Sequence, residues 1–201
     1  MIPFHIWLPL AHTEGNTSAS IILAAILLKL GTYGFIRFSI PFFPDANLYF
    51  LPFITILSII GIIYSCISAL SLIDLKQIIA YSSIAHMNIS IIGIFSNNIH
   101  GLLGSYSYSI SHGLVSGGLF LLVGLLYDRY HTRTLKYYRG LTFIMPIYIT
   151  IFLLFTLSNI SFPGTFGFIS EFLIYLGSIT LNPFITIFIG TISFILPTYF
   201  L

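Results

Sequence analysis

Charge is what this sequence has least of. Lys and Arg number seven and Asp and Glu five among 201 residues, so charged side chains make up only 6% of the chain. A soluble domain carries about a quarter. The shortage excludes water as the main solvent. A net charge of +2 leaves no basic patch large enough to hold nucleic acid electrostatically. One cysteine, Cys66, excludes an intrachain disulfide and a thiolate metal site. The six histidines form no HExxH, CxxCH or Glu-x-x-His pairing, so neither a metal nor a cofactor is expected in this chain. Gly101-x-x-Gly104 and Gly164-x-x-Gly167 lack the strand, helix and acidic residue of a dinucleotide fold. No basic region with a short apolar stretch and a small-residue cleavage site after it opens the chain, so insertion is expected to rely on the spans themselves.

What is abundant is apolar surface: 57% of the residues are hydrophobic and the mean hydropathy is +1.03. Ile, Phe and Tyr are frequent, as an A/T-biased genome would produce. A span needs about 20 mostly apolar residues, and about six segments meet that length. The expected fold class is all-α, a polytopic transmembrane helix bundle. Residues 1–16 read as an irregular interfacial segment, with Asn16-Thr17-Ser18 capping the first span. Spans are expected over 17–40, 50–73, 76–95 and 101–127, with Pro41, Pro44, Asp45 and Asn47 marking a turn. From 141 to 181 the chain is apolar for about 40 residues, twice one span, and is interrupted by Ser161-Phe162-Pro163-Gly164-Thr165-Phe166-Gly167. That reads as a broken helix, or as two short spans with a tight turn. Nonhelical backbone at membrane depth survives only when buried in protein or lining a hydrated cavity, so the break hints at function. A last span is expected over 183–201, with a kink or early stop at Pro197.

Alternating spans put the turns at 41–49, 96–100 and 181–183 on one side and those at 74–76 and 128–140 on the other. Lys76, Arg129, Arg133, Lys136 and Arg139 collect on the second side, which the positive-inside rule assigns to cytoplasm or mitochondrial matrix. The Asp74, Lys76, Arg129, His131 and Arg133 group reads as a surface anchor.

Two ionisable residues stand where lipid is expected. Lys29 lies twelve residues into the first span, about 18 Å deep in a core of about 30 Å. Glu171 comes after the break by about two turns. Ionisable groups at such depth mark ion pathways, the competing reading being a structural ion pair. Burial disfavours the charged form of each, which makes both candidate relay stations. Ser105, Ser109, His112 and Ser116 share one face of the fourth span. Ser82, His86 and Ser90, with Tyr81 beside them, repeat the pattern on the third. Imidazole both donates and accepts protons near neutrality, although His and Ser also glue membrane helices together. Gly113-x-x-x-Gly117 reads as close helix packing.

Several words of the sequence resemble the antiporter-like subunits of respiratory complex I and of multisubunit cation/proton antiporters. They are Phe4-His5-Ile6-Trp7-Leu8-Pro9-Leu10-Ala11-His12, Leu28-Lys29-Leu30-Gly31-Thr32-Tyr33-Gly34, Asp74-Leu75-Lys76 through His86-Met87, Ser111-His112-Gly113-Leu114, and Phe162-Pro163-Gly164-Thr165 leading to Ser170-Glu171-Phe172. Leu126-Tyr127-Asp128-Arg129 and Arg139-Gly140-Leu141 resemble the subunit-4 branch of NADH dehydrogenase. The resemblance implies a fold of fourteen helices with broken seventh and twelfth helices, of which this chain would supply the end of helix seven through helix thirteen. It implies proton-relay roles for Lys29, His86, His112 and Glu171, a mitochondrial inner-membrane location, and other membrane-arm subunits and lipids as partners. Flavin, iron–sulfur clusters and ubiquinone would belong to other subunits. A glutamate of helix five and a lysine of helix seven would be supplied by a companion polypeptide, as in a split subunit. A sodium/proton antiporter subunit, or a structural spacer that no longer pumps, is the alternative. Glu14-Gly15-Asn16 stands where relatives often have Glu-Ala-Pro, which leaves that turn open.

Overall fold

Backbone amides in hydrocarbon have no water to bond, so a chain this apolar satisfies them within helices. The computed structural model describes residues 1–138, 140–184, 186–187 and 189–191, and among these the regular elements are helices, with one isolated bridge besides. The helices are α1 (Trp7–Glu14), α2 (Thr17–Phe42), α3 (Pro44–Ser71), α4 (Leu75–Phe95), α5 (Ile99–Tyr130), α6 (Leu141–Ile144), α7 (Pro146–Asn159) and α8 (Phe166–Ile179). α2 to α5, of 26, 28, 21 and 32 residues, are long and apolar enough to cross a membrane. The segment expected to span 183–201 lies mostly outside the described residues, as do Pro197 and Arg139.

The opening segment is not irregular, because residues 7–14 form α1. Pro9 falls in the first turn, where its missing N–H has no helical partner to lose. Leu8 and His12, one turn apart, are buried, and the His12 ring stacks on Phe120 with centroids 4.3 Å apart. Gly15 N donates to Ala11 O at 3.0 Å and ends α1, which settles the turn before α2. Asn16 holds the cap position of α2 without a side-chain cap bond; Ser20 Oγ reaches back to Asn16 O at 3.1 Å instead.

The turn expected at 41–49 shrinks to Phe43. Pro41 lies inside the end of α2, after a π-helical stretch over Phe35–Ser39, and α3 begins at once with Pro44 in its first turn and Asp45 facing the helix dipole. Residues that read as a turn are therefore a helix start. Asn47 and Ser39 clasp the two helices, with Asn47 Nδ2 2.7 Å from Ser39 O and Ser39 Oγ 2.9 Å from Asn47 Oδ1.

α4 and α5 form the centre: 83% of the apolar stretch of α4 is buried, against 17% of that of α2. α2 and α4 both run antiparallel to α5. The broken segment does so as well, in one continuous pass. Tyr148 donates to Leu122 O at 2.9 Å, Phe155 lies against Gly118, Gly167 lies beside Ser111, and Gly177 meets Gly101 backbone to backbone. α7 and α8 have 14 residues each, about 21 Å apiece, so neither crosses a core of about 30 Å alone. Two separate spans with a tight turn would not track one neighbour in register, so the segment is a single broken span.

The break covers residues 160–165. Thr165 N donates to Phe162 O at 3.0 Å across Pro163-Gly164, and Gly164 has φ +101°, the arrangement of a turn with proline second and glycine third. Ser161, at φ +58°, is 2% exposed.

At the charged end, Asp74 bridges Thr134, and Leu75 N donates to Arg133 O at 3.2 Å, so the two turns assigned to one side meet. Lys76 and Arg133 are not surface anchors. Lys76 is 1% exposed and donates to Gly15 O at 3.2 Å; Arg133 donates to Thr13 O at 2.5 Å and lies 4.3 Å over the Tyr127 ring. Both tie the α1–α2 turn down, because carbonyls at the ends of α1 are the acceptors nearest their heads. Exposed Arg37 lies toward the opposite end, on the last part of α2.

Candidate functional site

α2 departs from α-helical winding over Leu23–Leu27, a stretch that ends two residues before Lys29. Such π turns loosen the backbone hydrogen-bond ladder and are frequent at functional sites. The Lys29 ammonium exploits this one, donating to Ala24 O within it. On its other side Lys29 Nζ lies 3.0 Å from His112 Nδ1 on α5. The half-buried lysine also borders a groove of about 560 Å³ between α2 and α5, lined by Thr32, Tyr33, Ser109 and Gly113.

The serine stripe of α5 faces the same helix. Ser109 Oγ is 3.3 Å from Thr32 Oγ1, and Ser116 Oγ is 3.5 Å from Ala24 O, one turn either side of the Lys29–His112 contact. Ser105 and Ser109 also meet α4: Ser90 Oγ donates to Ser105 O and pairs with Ser109 Oγ, both at 3.3 Å. Gly113 makes the approach possible, since a Cβ there would lie 2.9 Å from Ala25 O. The small-residue pair therefore packs α5 on α2.

His86 extends the seam to α4. Its ring centroid is 5.3 Å from that of His112, tilted by 51°, and its Nδ1 is 2.6 Å from the Tyr108 hydroxyl. His86, Tyr108, Ser111 and His112 share a small cleft with Ser158, Asn159, Ser161 and Gly167, so the helix break opens onto the two histidines. Asn159 Nδ2 reaches Ser82 Oγ at 3.4 Å. Beyond the break, Glu171 on α8 is 5% exposed and accepts a hydrogen bond from the Tyr175 hydroxyl one turn on.

Lys29, His112 and His86 thus meet across three helices, with Ser82, Ser105, Ser109 and Ser116 around them. Tyr81 is half-buried and lies outside the cleft that His86 and His112 line. Glu171 sits on the far side of the break, outside that cleft as well. Sequence reasoning missed Tyr108 and Asn159, and placed Ser161 only as the start of the break. Tyr108 lies four residues before His112, so helical spacing would have found it; nothing local marks Asn159, which the fold carries in.

A bundle of antiparallel apolar spans, with Lys29 held against His112 and His86 and a broken helix opening onto them, is the architecture of an antiporter-like membrane subunit. The chain belongs to the family described as NADH:quinone oxidoreductase/Mrp antiporter, TM, whose sequence model matches residues 1–196. It is 62% identical over 182 residues to NADH-ubiquinone oxidoreductase chain 4 of Marchantia polymorpha, covering 90% of this chain and 37% of that protein. The chain of the same name from Acanthamoeba castellanii is 52% identical over 200 residues, 100% of this chain and 40% of its own length. The chain therefore spans about two fifths of the length of these relatives. A chain of respiratory complex I from Thermus thermophilus with bound NADH superposes with a TM-score of 0.92 at 30% identity, over 98% of this chain and 42% of that one. A chain of the Mrp complex from Dietzia sp. DQ12-45-1b, at 18% identity, shares the fold with a TM-score of 0.88 over 98% of this chain and 38% of its own.

Proposed function

We propose that this chain carries part of a proton route in the membrane arm of an NADH:ubiquinone oxidoreductase of the mitochondrial inner membrane. The observation that carries the reading is the Lys29–His112–His86 contact, which joins a half-buried lysine of α2 to two buried histidines of α5 and α4. An ammonium within an apolar span needs polar partners, and groups so placed are the ones that exchange protons with a hydrated path. The charged turns at the Lys76 and Arg133 end face the matrix. Other subunits hold the flavin, iron–sulfur clusters and ubiquinone. This chain makes and breaks no bond other than those to protons.

The names of the relatives support quinone-coupled pumping over the antiporter reading, for which the same residues would serve. The test is the purified native complex in proteoliposomes carrying Lys29→Ala or Glu171→Ala. Proton uptake should fall in both, together with coupled quinone reduction. Full pumping in both variants would leave a structural spacer, and uptake that depends on sodium rather than on NADH would favour the antiporter.

A further inference from the structure

Tyr108 carries a hydroxyl where packing alone would use phenylalanine. The side chain is 3% exposed, in a core cluster with Ile62, Ile89, Ile92 and Ile174. A hydroxyl buried among aliphatic groups is costly unless hydrogen-bonded. This one is bonded at 2.6 Å to His86 Nδ1. Tyr108 and Ser161 of the helix break both line the cleft that holds His86 and His112. Tyr175, on the helix beyond the break, packs against the same core cluster and donates a hydrogen bond to Glu171. Ser161 is itself unusual, since its left-handed backbone would suit glycine better.

We infer that Tyr108 is a proton-conducting link between His86 and the Glu171 helix, working through the Ser161 hydroxyl; this rests on the proton-route reading above. A phenol hydroxyl donates one hydrogen bond while accepting another, so a proton can arrive as a different one leaves. The N–H bond at His86 Nδ1 breaks as an O–H bond forms at Tyr108 Oη. The phenol's original proton moves on through the Ser161 hydroxyl and water in the cleft to a Glu171 carboxylate oxygen. Imidazolium becomes imidazole, carboxylate becomes carboxylic acid, and both hydroxyls are restored. No tyrosinate forms. Removing the hydroxyl takes away the hydrogen-bond partner of His86 Nδ1 and cuts the line at the break.

The experiment uses the native complex in proteoliposomes, comparing Tyr108→Phe with Lys29→Ala and the unaltered enzyme. NADH-driven turnover, proton uptake per NADH and the ratio of rates in H2O and D2O are measured. The expected Tyr108→Phe enzyme assembles normally, turns over about tenfold more slowly under coupled conditions and shows a raised isotope ratio, as expected when a positioned proton carrier is lost. A purely structural role would leave that ratio unchanged. Assembly with native turnover and an unchanged ratio would overturn the inference. Should Tyr108→Phe fail to assemble, Ser161→Gly removes the next hydroxyl while easing the backbone; a native rate and isotope ratio there would overturn it equally. If Lys29→Ala is impaired while Tyr108→Phe is normal, the link alone fails. If Lys29→Ala pumps fully, the underlying proton-route reading fails with it.

Discussion

Lys29 Nζ and His112 Nδ1 stand 3.0 Å apart although 83 residues separate them in the chain. An ammonium has three donors and no acceptor, so Nδ1 must accept, and the proton of a neutral His112 is held at Nε2. Nε2 is buried with no protein partner among the described residues. The lysine therefore fixes the tautomer that aims an N–H into the cleft shared with His86 and the break.

This arrangement separates charge from proton exchange. Lys29→Arg keeps the positive charge and the donors but cannot release a proton in a protein. Its pumping should be as low as that of Lys29→Ala in reconstituted complex, with native-gel assembly near normal. A Lys29→Arg enzyme that pumps at the unaltered rate would show that fixed charge suffices at this position.

The approach of α2 to α5 depends on one missing methyl group. In Gly113→Ala the new Cβ would lie 2.9 Å from the Ala25 carbonyl and 3.6 Å from Lys29 Cε, and the nearer contact is with backbone that cannot rotate away. The two helices must separate, at a cost of about 1–3 kcal/mol, and the Lys29–His112 hydrogen bond must lengthen. A lower thermal midpoint together with weakened pumping is expected. At Gly31 nothing lies within 4 Å of such a Cβ, so Gly31→Ala should be neutral or slightly stabilising, because alanine favours a helix by about 1 kcal/mol.

These contacts also separate what is local in the chain from what only the fold supplies. Lys29, Glu171 and the break are legible in the sequence because each violates a rule of the bilayer: a charge in a span, a carboxylate in a span, proline and glycines at depth. The stripe through Ser105, Ser109 and His112 is legible because helical periodicity is local. Its partner is not, since nothing in the 99–130 stretch specifies that α2 lies against it. The π turn before Lys29 has no local signature in Leu23-Ala24-Ala25-Ile26-Leu27. Pro44, Asp45 and Asn47 read as a turn because the same residues serve both turns and helix starts, and only the Ser39–Asn47 clasp distinguishes them. His12 escapes notice because its segment looks irregular; its burial comes from Phe120, far along the chain.

Arg133 gives a stability test outside the seam. It donates to Thr13 O and stacks on Tyr127, a charge-assisted bond of about 1.5–3 kcal/mol and a cation–π contact of about 0.5–1 kcal/mol. Arg133→Ala should free the α1–α2 turn. Faster proteolytic cleavage near residues 13–16 in the detergent-solubilised complex is the expected result, with cleavage at the unaltered rate counting against the clasp.

The lone thiol allows the sidedness to be measured directly. Cys66 is 4% exposed, packed in a core with Ile62, Ile89 and Ile174, so a maleimide should leave it unlabelled in the folded complex. Cys66→Ala then gives a background in which one cysteine reports at a time. His100, at the start of α5, and Tyr137, after its end, are both exposed, and α5 is long enough to put them on opposite faces of the membrane. In sealed inner-membrane vesicles of known orientation, a membrane-impermeant maleimide should label Tyr137→Cys from the matrix face and His100→Cys from the other. Labelling in the reverse sense would contradict the assignment drawn from Lys76, Arg129 and Arg133. Labelling of both from one face would mean that α5 does not cross the bilayer, and a lysine paired with His112 could not then stand at mid-membrane.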